Sequence, residues 1–181
     1  MTAGFWDWSV ATYAKDRLAA ELLDMQDRFG LSVNLLLWCA WCARGHAEIP
    51  ELELRRAADL CARWGREVSE PLRAARRALK HPPPEADAAS AARLRKSVAD
   101  AELAAEEIEQ RMLEALARER LPALAAPGDA TGRARRNLAR YVSLAGAQRL
   151  PGFSTLPLDR LAMQAGPDDS PEAATTRETE K

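Results

Sequence analysis

Histidine, tyrosine, phenylalanine, cysteine and glycine are all scarce in this 181-residue chain, at two, two, three, three and nine residues. Two histidines leave little material for imidazole catalysis. Three cysteines, an odd number, do not make a disulfide framework and fit a reducing compartment, so a cytoplasmic location is expected. Few β-branched residues and no alternation of period two argue against a sheet. The longest strongly apolar run, from residue 33 to 43, is 11 residues, against the roughly 20 that a bilayer crossing needs. No basic start leads into an apolar run with a small-residue cleavage site, so a secretory leader is not expected. A net charge of −1 gives no bulk attraction to nucleic acid or to a membrane. Nucleophile elbow, glycine-rich phosphate loop and paired-histidine metal motif are all missing, and no cofactor is expected.

What is abundant is alanine, with 37 residues, beside 22 arginines against four lysines. Alanine favours helix but buries little area, so the core formers concentrate in the first half of the chain. Four of the five tryptophans lie between residues 5 and 46, which marks the folding centre. The fold class is all-α: a compact helical bundle, one long helix in the C-terminal half, and a disordered tail.

Helices are expected over 3–14 and 16–29, the second capped by Gly30. Ser32 caps a third over 33–43, apolar all round and therefore central. A helical stretch opens at Pro50, breaks near Gly65 and restarts around Pro71. His81-Pro82-Pro83-Pro84 then acts as a stiff, extended spacer. From 87 to 121 runs one long helix with a heptad seam of Leu94, Val98, Ala101, Ala105, Ile108, Met112 and Ala115, suited to a partner helix in cis or in trans. Shorter helices follow over 133–147 and 156–165. The chain divides as a helical domain (3–121), a short helical extension (122–165) and a polar tail (166–181) expected to be disordered.

Asn34 stands in the apolar third helix, where a buried amide needs partners. Gln26, Asp27 and the indole N–H groups of Trp6 and Trp8 are the candidates. The network either fixes helix register or floors a ligand pocket walled by Trp6, Trp8 and Trp38. Arg73, Arg76, Arg77 and Lys80 fall at i, i+3, i+4 and i+7, a one-sided basic face, and Arg133, Arg135, Arg136 and Arg140 form a second cluster. Pairing with Glu102, Glu106, Glu107 and Glu109 is the simpler account of both; nucleic-acid or ribosome contact is the weaker one. Cys39, Cys42 and His46 share one helical face, and Cys61 would complete a Cys₃His zinc set. Small buried cysteines are ordinary core residues, so the favoured reading assigns no metal.

Phe5-Trp6-x-Trp8-Ser9, Tyr13, Leu23-x-x-Gln26-Asp27, Gly30, Val33-Asn34-Leu35-Leu36-Leu37, Trp41 and Pro71-Leu72-Arg73 with Arg76, Arg77 and Lys80 together resemble an uncharacterised family of small, mostly proteobacterial proteins. The resemblance covers roughly residues 4 to 121. It implies a helical fold and no particular activity. The function expected first is a non-catalytic adaptor, engaging a protein partner or a second copy through the basic face or the heptad seam, with no membrane contact. The alternative is a small-molecule or enzymatic site at the Trp/Asn/Gln/Asp-lined pocket.

Overall fold

The computed structural model describes residues 4–15, 17–125 and 128–166, and all of its regular structure is helical. The helices are α1 (Phe5–Tyr13), α2 (Leu18–Phe29), α3 (Val33–Cys42), α4 (Glu51–Trp64), α5 (Glu70–Ala78), α6 (Ala88–Arg120), α7 (Ala130–Ala145) and α8 (Leu156–Met163). No helix among the described residues is long and apolar enough to cross a membrane. The expected disordered tail, from residue 167 on, lies outside the described residues.

Local chemistry sets most of the boundaries. Gly30 closes α2 at φ +68°, a left-handed cap that costs glycine nothing. The Ser32 hydroxyl accepts from the Leu35 N–H and starts α3. Asp87 and Asp129 cap α6 and α7 in the same way through Ser90 N–H and Gly132 N–H. The second cap places the start of α7 at Ala130, ahead of the expected Arg133.

α3 is the axis of the molecule: Leu35 through Cys42 are all buried, and α3 packs against α1, α2, α4, α6, α7 and α8. Segments beyond Pro122 share this core. Leu138, Tyr141 and Val142 of α7 and Leu161 of α8 belong to the same hydrophobic cluster as Phe5, Leu22 and Trp38. Asn137 ties three segments together, accepting from Ile49 N–H at 3.0 Å and donating to the Cys39 carbonyl at 3.1 Å.

Three expectations need correction. Gly65 does not interrupt the chain: a five-residue π turn, Gly65–Ser69, joins α4 to α5 without a break. Pro71 supplies the reason, since its ring and missing N–H conflict with a regular α turn behind it, and the wider turn relieves both. The proline run after α5 is no spacer. It turns the chain so that α6 packs back along α5, with Arg73 meeting Glu106 and Arg76 meeting Glu102. The inner face of α6 is also rotated from the heptad seam by about a quarter turn, at ~100° per residue. Glu102, Ala105, Glu109, Gln110, Leu113 and Ala117 are buried, whereas Leu94 and Ile108 are 54% and 46% exposed. Polar residues with partners displaced the apolar stripe.

Candidate functional site

The rotation of α6 turns its acids and Gln110 toward a cleft of about 860 Å³. α1, the end of α2, the start of α3, α4 with the π turn, and α6 enclose it, and the end of α7 closes one side. Trp6, Val10, Leu23, Leu37 and Leu103 give it largely apolar walls. A cavity of this size, with few and convergent polar groups, is typical of small-molecule sites.

Its floor is a directional chain of hydrogen bonds across three helices. The Ser9 hydroxyl of α1 donates to Gln110 Oε1 of α6 at 2.6 Å. Gln110 Nε2 donates to Asn34 Oδ1 of α3 at 2.9 Å, and Asn34 Nδ2 donates to Glu109 Oε2 at 2.8 Å. Each bond polarises the next, and the chain ends on a carboxylate. Glu109 is only 6% exposed, and no arginine or lysine among the described residues forms an ion pair with it. Beside it, burial pushes the Cys61 thiol far up, with the Glu109 charge adding to the effect. Such a thiol stays protonated and is a poor nucleophile. Tyr141 of α7 accepts from Ser32 N–H at 2.8 Å, and burial raises its phenol pKa.

A second polar group reaches the cleft through Arg73 and Glu106, with Arg76 and Glu102 behind them. Arg73 donates through Nε to Glu102 and through Nη2 to Glu106, each at 3.2 Å. Arg76 donates to Glu102 through Nε at 2.5 Å and Nη2 at 3.3 Å. Burial pulls the Glu102 pKa upward, but Arg76 and Arg73 together outweigh it and the net shift is down. Glu106 shifts the other way: burial raises it, and Arg73 compensates only in part. Burial, then Glu106, also raises Tyr13, with Arg73 opposing. At the end of the π turn the buried Ser69 hydroxyl has no hydrogen-bond partner. π turns recur at functional sites.

The sequence candidates fall in different places. Trp6, Gln26 and Asn34 line the cleft. Trp8 does not: it is buried, with the Arg44 guanidinium 5.9 Å above its ring. Trp38 is fully buried in the core and donates to the Leu113 carbonyl at 2.8 Å. Asp27 is exposed and outside the lining. The expected partners of Asn34 are therefore replaced by Glu109 and Gln110, 75 and 76 positions further along the chain. Of the basic face, Arg73 and Arg76 are spent on Glu102 and Glu106, whereas Arg77 and Lys80 are exposed. The α7 arginines do not meet the acids of α6. Arg133 donates to the Ala43 carbonyl, Arg136 and Arg140 pair with Glu48, and Arg135 pairs with Asp159.

Cys39, Cys42 and Cys61 are buried free thiols. Burial pushes Cys39 and Cys42 well up, and His46 is turned toward the Leu121 carbonyl at 3.4 Å and packs on Trp41. No group of three or more histidine, cysteine or acidic residues among the described residues is placed to hold a metal ion.

Ser9, Glu106, Glu109, Gln110, Cys61, Ser69 and Tyr141 were not singled out together by the sequence. A usable signal existed for some of them: Glu102, Glu106 and Glu109 recur at i, i+4 and i+7, an acid stripe matching the arginine stripe on α5.

No curated protein and no solved structure matches the chain at a significant level. A family model does, over residues 4–113, which takes in every wall of the cleft except the part supplied by α7. The chain thus belongs to the family described as "Protein of unknown function (DUF2390)".

Proposed function

We propose that this protein binds a small organic molecule in the cleft between α1, α3 and α6. The observation that carries the reading is the donor chain Ser9–Gln110–Asn34–Glu109 laid across the floor of an apolar-walled cavity. Buried polar groups of this kind fix the orientation of a ligand whose body packs on the walls. The protonated Cys61 thiol, and the absence of His46 and His81 from the lining, favour binding over group transfer. Three buried free thiols support a cytoplasmic setting.

The test is native mass spectrometry of the full chain purified gently from its own host, beside the variant Ala62→Trp. Ala62 is exposed at the cleft wall, so an indole there obstructs the cavity with little cost to the core. Extra mass on the wild type that is lost on denaturation and missing from the variant supports the reading. Extra mass equal in both, or a bare wild type together with a fragment screen whose hits ignore Ala62→Trp, overturns it.

A second reading, protein interaction, draws on one feature: the outer face of α6 leaves Leu94 and Ile108 exposed at heptad spacing. The proposed occupant is the same face of a second copy, since heptad faces pair with their like. Light scattering would then give a dimer mass that the double variant Leu94→Glu/Ile108→Glu reduces to a monomer. A wild-type monomer at high concentration removes this reading. Pairing of Arg73 and Arg76 with Glu102 and Glu106 leaves Arg77 and Lys80 as the exposed charges of the basic face.

A further inference from the structure

We propose that the ligand of the cleft is an organic cation, an ammonium group on an apolar body, held with its charge toward Glu109. This inference rests on the cleft being a binding site and names the class of molecule that fits it.

Charge bookkeeping is the first argument. Glu70, Glu106 and Glu109 line the cleft against a single guanidinium, Arg73, a formal excess of two negative charges. Arg73 is also already engaged, by Glu102 as well as Glu106, and Glu102 takes both donors of Arg76 besides. The arginines are therefore consumed outside the floor, and no cation among the described residues reaches Glu109. A buried carboxylate without a counter-charge is costly. The start of α3 and the Asn34 amide relieve part of that cost, but a helix terminus is worth only about half a unit charge. An entering cation completes the compensation.

The walls supply the second argument. Trp6 and Tyr13 present aromatic surface to the cavity from α1, and ring faces attract ammonium groups without needing hydrogen bonds. Val10, Leu23 and Leu103, all substantially exposed at the mouth, offer apolar surface for the body of the molecule. An anionic ligand finds the reverse: three carboxylates, one committed arginine, and an α3 start whose Ser32 and Leu35 N–H groups are already taken by Tyr141 and the Ser32 hydroxyl.

Isothermal titration of the full chain with 2-phenylethylammonium, 2-phenylethanol and phenylacetate tests the class, since the three share one body and differ in the charge of the head. The ammonium should bind at least about tenfold more tightly than the alcohol, the worth of one charged hydrogen bond, and phenylacetate most weakly. Glu109→Gln should reduce the ammonium-over-alcohol preference by about that tenfold, and Ala62→Trp should abolish binding of all three. Should Glu109→Gln fail to fold, Glu106→Gln reads the loss of preference from the second polar group. Equal or tighter binding of the alcohol or the carboxylate, still abolished by Ala62→Trp, overturns the cation and leaves the cleft standing as a site. No binding of any probe overturns the cation proposal, and the host-purified mass then decides the cleft by itself.

Discussion

Replacing Asn34 by leucine separates an electrostatic floor from a merely shape-filling one. The amide donates to the buried Glu109 carboxylate at 2.8 Å and accepts from the neutral Gln110 at 2.9 Å. A hydrogen bond to a charged group contributes about 1.5–3 kcal/mol and a neutral one about 1 kcal/mol. Asn34 is itself half-buried at the cleft, so water recovers part of both, and a net loss of about 2 kcal/mol is expected for Asn34→Leu. In a Glu109→Gln background the charged bond no longer exists, and the same leucine should cost only about 1 kcal/mol. The coupling of about 1 kcal/mol is read from urea unfolding of the four proteins of a double-mutant cycle, provided the m-values agree. Equal costs in both backgrounds, within about 0.3 kcal/mol, would falsify the claim that Asn34 solvates the carboxylate.

Asn137→Leu should be more damaging, about 2–4 kcal/mol, because it strands the Ile49 N–H in a site that is 1% exposed; a loss under about 1 kcal/mol in the same urea assay would contradict the bonding described. Gly30→Ala should cost about 1 kcal/mol through its φ of +68° alone, since the added methyl meets nothing within 4 Å. Gly65→Ala, at φ −53° and equally open, should instead stabilise by about 0.5–1 kcal/mol; thermal melts that move both variants in one direction would count against this. Glu106 has its folded pKa raised from 4.5. The folded state therefore binds the proton more tightly, and stability falls as pH rises from about 4.5 through the folded value. Glu106→Gln removes that slope, so wild type minus variant should become less favourable across the window; a flat difference would dismiss the raised carboxyl.

The bundle was legible because helix signals are local. Gly30, Ser32 and Asp87 announce their own ends, and the apolar run from Val33 identifies the central helix without reference to anything distant. Faces were harder to read. The heptad seam of α6 follows from assuming that apolar side chains turn inward, yet Glu102, Glu109 and Gln110 occupy that side because Arg73, Arg76, Asn34 and Ser9 wait there. Those partners lie on other helices, and linear spacing does not record them. Asn34 stands out as a lone amide among leucines, whereas the residues it bonds sit about 75 positions away. The π turn is a case between the two. Pro71 signals a disturbance, but one sequence does not show whether the chain stops or widens its helix to absorb it.

That widened turn also acts as a counting device. It adds one residue to a helix that otherwise runs without interruption from Glu51 to Ala78, and each residue advances an α-helix by about 100°. Deleting a single residue between Gly65 and Ser69 would let the wide turn close to regular α geometry while α5 kept its facing, because that turn is what absorbs the extra residue. An insertion in the regular helix between Glu70 and Arg73 has no such relief and would swing the guanidinium groups of Arg73 and Arg76 away from Glu102 and Glu106. The segment Gly65–Ser69 is thus the place where this helix tolerates a change of length, and the turn just after it is the place where it does not.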